Sequence, residues 1–215
     1  MYTEKHPIAR AGWTYILVLG VMTLLLFFLF KPAALLTTLL LLFTAYFFRN
    51  PRRVVPGDKR FIISPADGVV MQVEEKEEEH FIKGKAIRIS IFLSIFNVHL
   101  NRAPVEGLVE YVKYRPGKFF PAFKSHAAEI NEKNYLGINT GHYKIMVTQI
   151  TGFIARRIVC YAKKDDILNQ GQIFGLIKFG SCTEIFVPHN IEILVKPGDK
   201  VKGGETVIGR LPDES

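Results

Sequence analysis

Residues 175–188 read Gly-Leu-Ile-Lys-Phe-Gly-Ser-Cys-Thr-Glu-Ile-Phe-Val-Pro, so that a glycine and a serine stand between two runs of strand-forming residues. The apolar and β-branched residues on both sides predict strands. Gly180 can take strained backbone angles and lets another group approach its carbonyl closely. Most Gly-Ser pairs simply make turns. The pair is therefore a candidate for catalysis only if a base, an orienting acid and a matching substrate context occur elsewhere in the chain.

The chemistry open to this pair is self-cleavage. The Ser181 hydroxyl can attack the carbonyl of Gly180 and move the acyl group from nitrogen to oxygen. β-Elimination of the resulting ester would split the chain and leave dehydroalanine, which hydrolyses to a pyruvoyl group. On these two residues alone the signal is weak.

Length and charge restrict the classes of protein. The chain has 215 residues, which suggests one domain with an appendage. Its formal net charge of +8 favours an anionic partner, either nucleic acid or an anionic membrane surface. Its two cysteines, Cys160 and Cys182, form no metal-ligand spacing and no disulfide framework, and we expect a reducing, cytoplasmic environment and no metal.

The N-terminal segment decides between these anionic partners. Trp13–Phe30 and Ala33–Phe48 are apolar runs separated by Lys31-Pro32, and neither has the polar face of a soluble helix. Basic residues flank both ends, so the positive-inside rule places both ends in the cytoplasm. We therefore expect a helical hairpin that anchors the chain in the cell membrane, and no nucleic-acid partner. Whether the hairpin spans the bilayer or only dips into it stays open.

The remainder of the chain predicts a mainly β domain. Strand patterns occupy five stretches, whereas the acidic run Glu74–Glu79 predicts a solvated loop and Pro116–Thr140 a long polar loop. The five predicted strand regions are Phe61–Val73, Ala86–Ile95, Val105–Tyr114, Tyr143–Ile150 and Gly152–Tyr161.

The C-terminal stretch Ile191–Gly209 resembles the second half of a biotinyl/lipoyl-type barrel sandwich, although the modifiable lysine hairpin of carrier domains is missing. The predicted architecture is therefore a hydrophobic helical segment with a basic flank at residues 1–53, followed by a barrel-sandwich β domain at 54–215.

Two further residues are candidates for activating Ser181. His99 ends a strongly apolar strand, where a polar ring needs a reason. Asp67 lies in an Asp-Gly turn. Together the three form a Ser, His, Asp set of the kind that activates a hydroxyl, with His99 as base and Asp67 as its orienter. Spacing alone does not show that they meet.

Four motifs occur in an order that resembles the phosphatidylserine decarboxylases, in particular their short prokaryotic form. They are Phe47-Phe-Arg-Asn-Pro-Arg-Arg53, Ser64-Pro-Ala-Asp-Gly68, Phe96-Asn-Val-His-Leu-Asn-Arg-Ala-Pro104 and Phe179-Gly-Ser181. The resemblance covers nearly the whole chain.

The resemblance implies a self-processing enzyme. Cleavage between Gly180 and Ser181 would give a β subunit of residues 1–180 and an α subunit of 181–215 that begins with a pyruvoyl group. That group would form a Schiff base with phosphatidylserine and release CO2 to give phosphatidylethanolamine. Asp67 and His99 match the acid and the histidine of the family's processing triad.

Substrate contacts are less well marked in the sequence. Asn131-Glu-Lys-Asn134 looks like a variant of an Asn-Glu-Arg segment of the family, which makes Glu132 and Asn134 candidates. Larger bacterial relatives carry a second histidine where this chain has Phe96, so the group that protonates the product stays open. The further candidates for substrate binding are Arg102, Lys118, Lys124 and His126.

Three other interpretations stay open. A membrane-anchored Ser-His-Asp hydrolase would use the same residues without self-cleavage. An archaeal decarboxylase of ether-linked archaetidylserine would give the same motifs, and a barrel-sandwich adaptor of a membrane assembly would have no activity. The sequence does not fix the oligomeric state beyond the two subunits.

Overall fold

The computed structural model describes residues 6–118, 120, 130–152, 157–178 and 181–212. These residues fall into two compact units that divide between Arg52 and Arg53. We call them the N-terminal unit and the C-terminal unit, and describe each by itself.

The N-terminal unit contains two apolar helices. A short 3-10 turn at Arg10–Gly12 leads into α1 (Trp13–Leu29), and α2 (Lys31–Phe47) follows. The backbone of Phe30 is extended, with φ −154° and ψ 93°, and this residue separates the two helices. The proline after Lys31 lies in the first turn of α2, where its missing N–H costs nothing. Each helix has 17 residues and is about 26 Å long at 1.5 Å per residue.

The two ends of this helix pair are hydrogen-bonded to each other. The amide of Ala9 donates to the carbonyl of Phe48 at 2.7 Å, and the amide of Asn50 donates to the carbonyl of Pro7 at 2.7 Å. A Cβ on Gly12 would lie 2.5 Å from the Phe48 ring, so glycine is required for this close approach. The two helices therefore form a hairpin whose ends lie on the same side, as the sequence predicts.

The hairpin exposes a large apolar surface. No residue of α1 is buried, and Phe28 and Leu29 next to the turn expose 78% and 79% of their surface. Arg10–Leu29 is long and apolar enough to cross a membrane, whereas Lys31–Phe47 is a shorter apolar helix. This surface indicates membrane association.

The C-terminal unit is built from strands. In the described part of the chain they are β1 (Phe61–Ile63), β2 (Gly68–Glu78), β3 (Gly84–Leu93), β4 (Leu100–Arg102), β5 (Gly107–Arg115), β6 (Lys133–Asn139), β7 (Lys144–Thr151), β8 (Arg157–Cys160), β9 (Ile167–Leu168), β10 (Ile173–Lys178), β11 (Ser181–Pro188), β12 (Glu192–Ile193), β13 (Lys200–Val201) and β14 (Val207–Arg210).

The described strands form one large antiparallel sheet and two small ones. The large sheet has eight strands in the order β13-β2-β3-β11-β7-β6-β5-β9. The small sheets have three strands each, in the orders β4-β10-β8 and β1-β14-β12. The mainly β fold class expected from the sequence is thus confirmed. Between Lys178 and Ser181 the chain passes from a small sheet into the middle of the large one.

The core lies on one face of the large sheet. Ile91 of β3, Ile185 of β11 and Val147 of β7 are fully buried there, and Phe174 of β10 packs in the same cluster. Burying each such side chain contributes about 1.5–3 kcal/mol. The β4-β10-β8 sheet is thereby held against the strand that begins with Ser181.

Two sequence predictions about loops are wrong. The acidic run Glu74–Glu79 is not a loop up to Glu78, because β2 continues through it and pairs with β3 as far as Gly84. The predicted loop Pro116–Thr140 contains β6, which pairs with both β5 and β7. In both cases the partner strand supplies the hydrogen bonds that make the strand stable, and local composition does not reveal it.

Candidate active site

Ser181 is the first residue of β11 and is fully buried. It lies opposite Leu93 of β3 on one side and Thr151 of β7 on the other. Among the described residues its Oγ has no hydrogen-bond partner. A buried hydroxyl without a hydrogen-bond partner costs about 1–3 kcal/mol of stability. A catalytic role is one explanation for such a group.

A row of neighbouring residues crosses the large sheet at the end where Ser181 lies, and it joins Ser181 to Glu132 and to the residue after Asp67. Gly68 follows Asp67 and begins β2, where a Cβ would lie 2.2 Å from the Phe92 carbonyl, so only glycine fits. With about 4.8 Å between neighbouring strands, the backbones of Gly68 and Ser181 are about 10 Å apart. The row across the sheet is Gly68, Leu93, Ser181, Thr151 and Glu132.

His99 lies beside the strand that leads to Ser181. Its carbonyl accepts a hydrogen bond from the amide of Ile177 in β10 at 3.1 Å, and the residue is 2% exposed. Its Nδ1 lies 3.0 Å from the carbonyl oxygen of Asn97. A carbonyl can only accept, so Nδ1 carries the proton and the lone pair of the neutral ring lies on Nε2. This is a tautomer that can act as a base.

Asp67 is held by an arginine. Its carboxylate accepts two hydrogen bonds from Nη2 of Arg53, at 2.9 and 2.8 Å, and one from the amide of Gly203 at 2.8 Å. These are its hydrogen-bond partners in the described part of the chain. The role of Asp67 as the orienter of His99 stays a prediction. Arg53 was not predicted as a site residue, and its one signal in the sequence is its place at the end of the first motif.

Comparison with known proteins identifies the family. Residues 40–209 match the family model described as phosphatidylserine decarboxylase. The chain is 58% identical over 210 residues to the phosphatidylserine decarboxylase proenzyme of Carboxydothermus hydrogenoformans, covering 96% of this chain and 99% of that protein. It is 47% identical over 214 residues to the proenzyme of Symbiobacterium thermophilum, covering 99% and 100% of the two chains.

The chain belongs to the phosphatidylserine decarboxylase family. The family expected from the four motifs, and with it the expected enzyme class of decarboxylase, is thus confirmed.

In this phosphatidylserine decarboxylase family member, Arg102 lies in the same charged cluster as Asp67. The residue is 9% exposed, and its Nη1 donates to the carbonyl of Gly171 at 3.0 Å. Burial, together with the charge of Arg53, lowers the pKa of Arg102 to about 10, while Asp67 opposes the shift. The guanidinium is thus engaged inside the protein, and its predicted contact with a substrate phosphate stays untested.

Two of the three side chains from Glu132 to Asn134 lie on the same face of the sheet as Ser181. The side chain of Glu132 is buried and accepts a hydrogen bond from the amide of Ile158 at 3.3 Å. Asn134 is also buried and faces the core, whereas Lys133 between them points to the opposite face of the sheet. Burial lowers the pKa of the Lys133 ammonium. Glu132 and Asn134 therefore lie on the face of Ser181.

The remaining candidates have simple positions. Lys118 is exposed, and its backbone pairs with Asn131. Phe96, which stands where larger relatives have a histidine, is 62% exposed. Gly180, Lys124 and His126 lie outside the described residues.

Proposed function

We propose that this chain is a proenzyme that cleaves itself between Gly180 and Ser181 and then decarboxylates phosphatidylserine to phosphatidylethanolamine. The observation that carries the proposal is the buried Ser181 hydroxyl, which has no partner among the described residues and begins a central strand. The relatives named phosphatidylserine decarboxylase proenzyme support the reaction and the precursor. Ether-linked phosphoserine lipids would fit the same site residues.

Cleavage uses groups of the chain itself. The Oγ of Ser181 bonds to the carbonyl carbon of Gly180, its proton passes to a base, and the C–N bond breaks to leave an ester and a free amine. Removal of the Cα proton of Ser181 then breaks the ester C–O bond and releases Gly180 as a carboxylate. The dehydroalanine that remains takes up water and loses ammonia to become a pyruvoyl group. No oxidant or reductant is needed.

His99 is the base in this proposal. With the proton on Nδ1 towards Asn97, Nε2 is the ring nitrogen that would accept the proton of the Ser181 hydroxyl. In the described residues the Ser181 hydroxyl has no hydrogen-bond partner, so this transfer requires the two groups to approach each other. Its backbone is bonded to β10, which ends at Lys178, just before the scissile bond. Asp67 holds a negative charge in the same region, supported by Arg53.

The residues around Ser181 fit a pyruvoyl group formed in place. Strands β3 and β7 flank the position on both sides and hold the strand that begins with it in the large sheet, so the group would stay where it forms. Once formed, the group would supply a carbonyl that condenses with the substrate amine and accepts the electrons released with CO2.

The N-terminal hairpin would keep the enzyme at its substrate. We place it in the cell membrane with the catalytic unit on the cytoplasmic side, because basic residues flank both ends of the hairpin. Each of them can contribute about 1 kcal/mol at an anionic leaflet.

The test is the intact mass of the purified chain and of two variants. The unaltered chain should give two pieces, the smaller of which begins at position 181 with a group one ammonia lighter than serine. Ser181→Ala should give one uncut chain without decarboxylase activity. Ser90→Ala, which alters a buried serine of β3 bonded to Glu184, should still cleave.

One result would overturn the proposal. If the unaltered chain stays whole with an ordinary serine at position 181, there is no pyruvoyl group. Labelling of that whole chain at Ser181 by a serine-directed acylating probe would point instead to the hydrolase.

A further inference from the structure

We propose that Asn101 and Thr183, with Gln149 and Asn134 behind them, are positioning residues that set β4, which directly follows His99, against β11, which begins with Ser181, and so control the rate of self-cleavage. The inference rests on the proposed function, since it concerns the cleavage step.

These four side chains form one continuous run of hydrogen bonds. Asn134 Nδ2 donates to Gln149 Oε1 at 3.0 Å, and Gln149 Nε2 donates to Asn101 Oδ1 at 2.8 Å. Asn101 Nδ2 then donates to Thr183 Oγ1 at 3.0 Å. Each amide donates to the next group in one direction, so the four side chains are joined as one run of hydrogen bonds.

The run is buried and crosses between two sheets. Asn101, Gln149 and Thr183 are 0% exposed and Asn134 is 3% exposed. Asn101 belongs to β4 in a three-stranded sheet, whereas the other three residues belong to β6, β7 and β11 of the large sheet. A buried amide without a partner is costly, so this contact fixes one sheet relative to the other.

A glycine makes room for this contact. A Cβ on Gly175 of β10 would lie 2.8 Å from Gln149 Nε2 and 2.4 Å from the carbonyl of Val159. A larger residue there would push Gln149 away from Asn101.

The Asn101–Thr183 contact lies close in sequence to the two residues proposed for the cleavage reaction. Asn101 is two residues after His99, and Thr183 is two residues after Ser181. His99 immediately precedes β4 and continues its pairing with β10 through the amide of Ile177. Side chains on an extended chain repeat every two residues, so Asn101 shares a face with His99 and Thr183 shares a face with Ser181.

The backbone ladders do not supply this alignment. Ser181 is fixed within the large sheet by β3 and β7, but His99 is carried by the other sheet. A displacement of about 1 Å between reacting groups can cost about 100-fold in rate.

The experiment compares three substitutions that separate the hydroxyl from the packing. Thr183→Val keeps the volume and loses the acceptor, whereas Thr183→Ser loses a methyl group and keeps the acceptor. Thr148→Val is the matched control, because Thr148 is a buried threonine of β7 whose Oγ1 has no partner among the described residues. The cleavage half-time of newly made chain is followed on denaturing gels, and the melting temperature of each chain is recorded.

We expect Thr183→Val to cleave at least about tenfold more slowly than the unaltered chain. Thr183→Ser and Thr148→Val should stay within about threefold of it. A role in packing volume alone predicts the opposite order for the two Thr183 variants, because only serine leaves a void. An effect through stability alone predicts cleavage rates that follow the melting temperatures, because Thr183→Val also leaves the Asn101 amide without a partner. If Thr183→Val does not fold, Gln149→Met, which removes the donor that orients Asn101, decides in its place.

Cleavage of both Thr183→Val and Gln149→Met at the unaltered rate would overturn the inference. Failure of the unaltered chain to cleave would instead overturn the proposed function, so the two failures are distinguishable.

Discussion

At the scale of single residues, the site depends on two buried polar side chains with different surroundings. Ser181 has no partner for its hydroxyl among the described residues, whereas the ring of His99 is oriented by the carbonyl of Asn97. In the proposed cleavage, the serine hydroxyl would be the nucleophile and the histidine ring the base.

Replacing the base should slow cleavage strongly. We expect His99→Ala to reduce the cleavage rate by about 10²–10⁴-fold, the range that a general base contributes. The measurement is the fraction of cleaved chain with time on denaturing gels. His142→Ala is the control, because His142 is an exposed histidine in the turn between β6 and β7. Efficient cleavage of His99→Ala would remove this histidine from the processing step.

At the scale of elements, β11 would hold the piece that follows the proposed cleavage point. It pairs with β3 from Ser181 to Pro188 and with β7 from Ser181 to Phe186. Further along the same piece, β13 pairs with β2 and β14 pairs with β1. All of these partners precede the cleavage point, so the cut breaks none of these ladders.

The two pieces should therefore stay together after cleavage. We expect them to elute as one species in gel filtration under native conditions and to separate only in denaturant. Ile185→Ala, at a fully buried position of β11, should weaken their association by about 2–5 kcal/mol and lower the urea concentration that separates them. Leu194→Ala, at a 46% exposed position of the same piece, should change it by at most about 0.5 kcal/mol. Elution of the small piece on its own in native buffer would contradict this.

Sequence patterns predicted those elements that carry their own signal. The hairpin follows from two apolar runs and a Lys-Pro break, and β3 follows from alternating isoleucines. Strand β6 was missed because the hydrogen bonds that stabilise it come from its neighbours β5 and β7, which the polar composition of the segment does not reveal. The Asn101–Thr183 contact was missed because 82 positions of chain separate its two ends.

The charged surroundings of the site were also hard to predict. Asp67 was recognised by its motif, but its arginine partner lies 14 positions earlier, where the sequence indicated only a basic flank beside the membrane. Such an ion pair depends on how the chain folds back, which composition does not encode.

At the scale of the whole molecule, the paired ends of the hairpin place both of its ends on the same side. Ala9 and Phe48 are joined by a hydrogen bond, so residues before α1 and after α2 emerge together. Each helix is about 26 Å long, slightly less than the hydrocarbon core of about 30 Å. The turn at Phe28–Phe30 should therefore lie inside the apolar layer.

Labelling of introduced cysteines tests this placement in membrane vesicles of either orientation. Val54→Cys, at an 84% exposed position, should react with a membrane-impermeant maleimide only when the cytoplasmic face is outward. Phe28→Cys, next to the turn, should be protected in both orientations. The unaltered chain, with its half-buried Cys160, gives the background. Reaction of Val54→Cys from the outer face would contradict the predicted sidedness, and reaction of Phe28→Cys there would show a hairpin that crosses completely.

The passage of the chain from one sheet to another just before Ser181 has a consequence for recovery from denaturation. An intact precursor that has been unfolded can regain its structure in a unimolecular process, at a rate that does not depend on dilution. Once the link at 180–181 is gone, the same recovery requires two polypeptides to find each other, and dilution slows it. Maturation would in this way convert a protein that can renature alone into one that, at low concentration, assembles correctly only once.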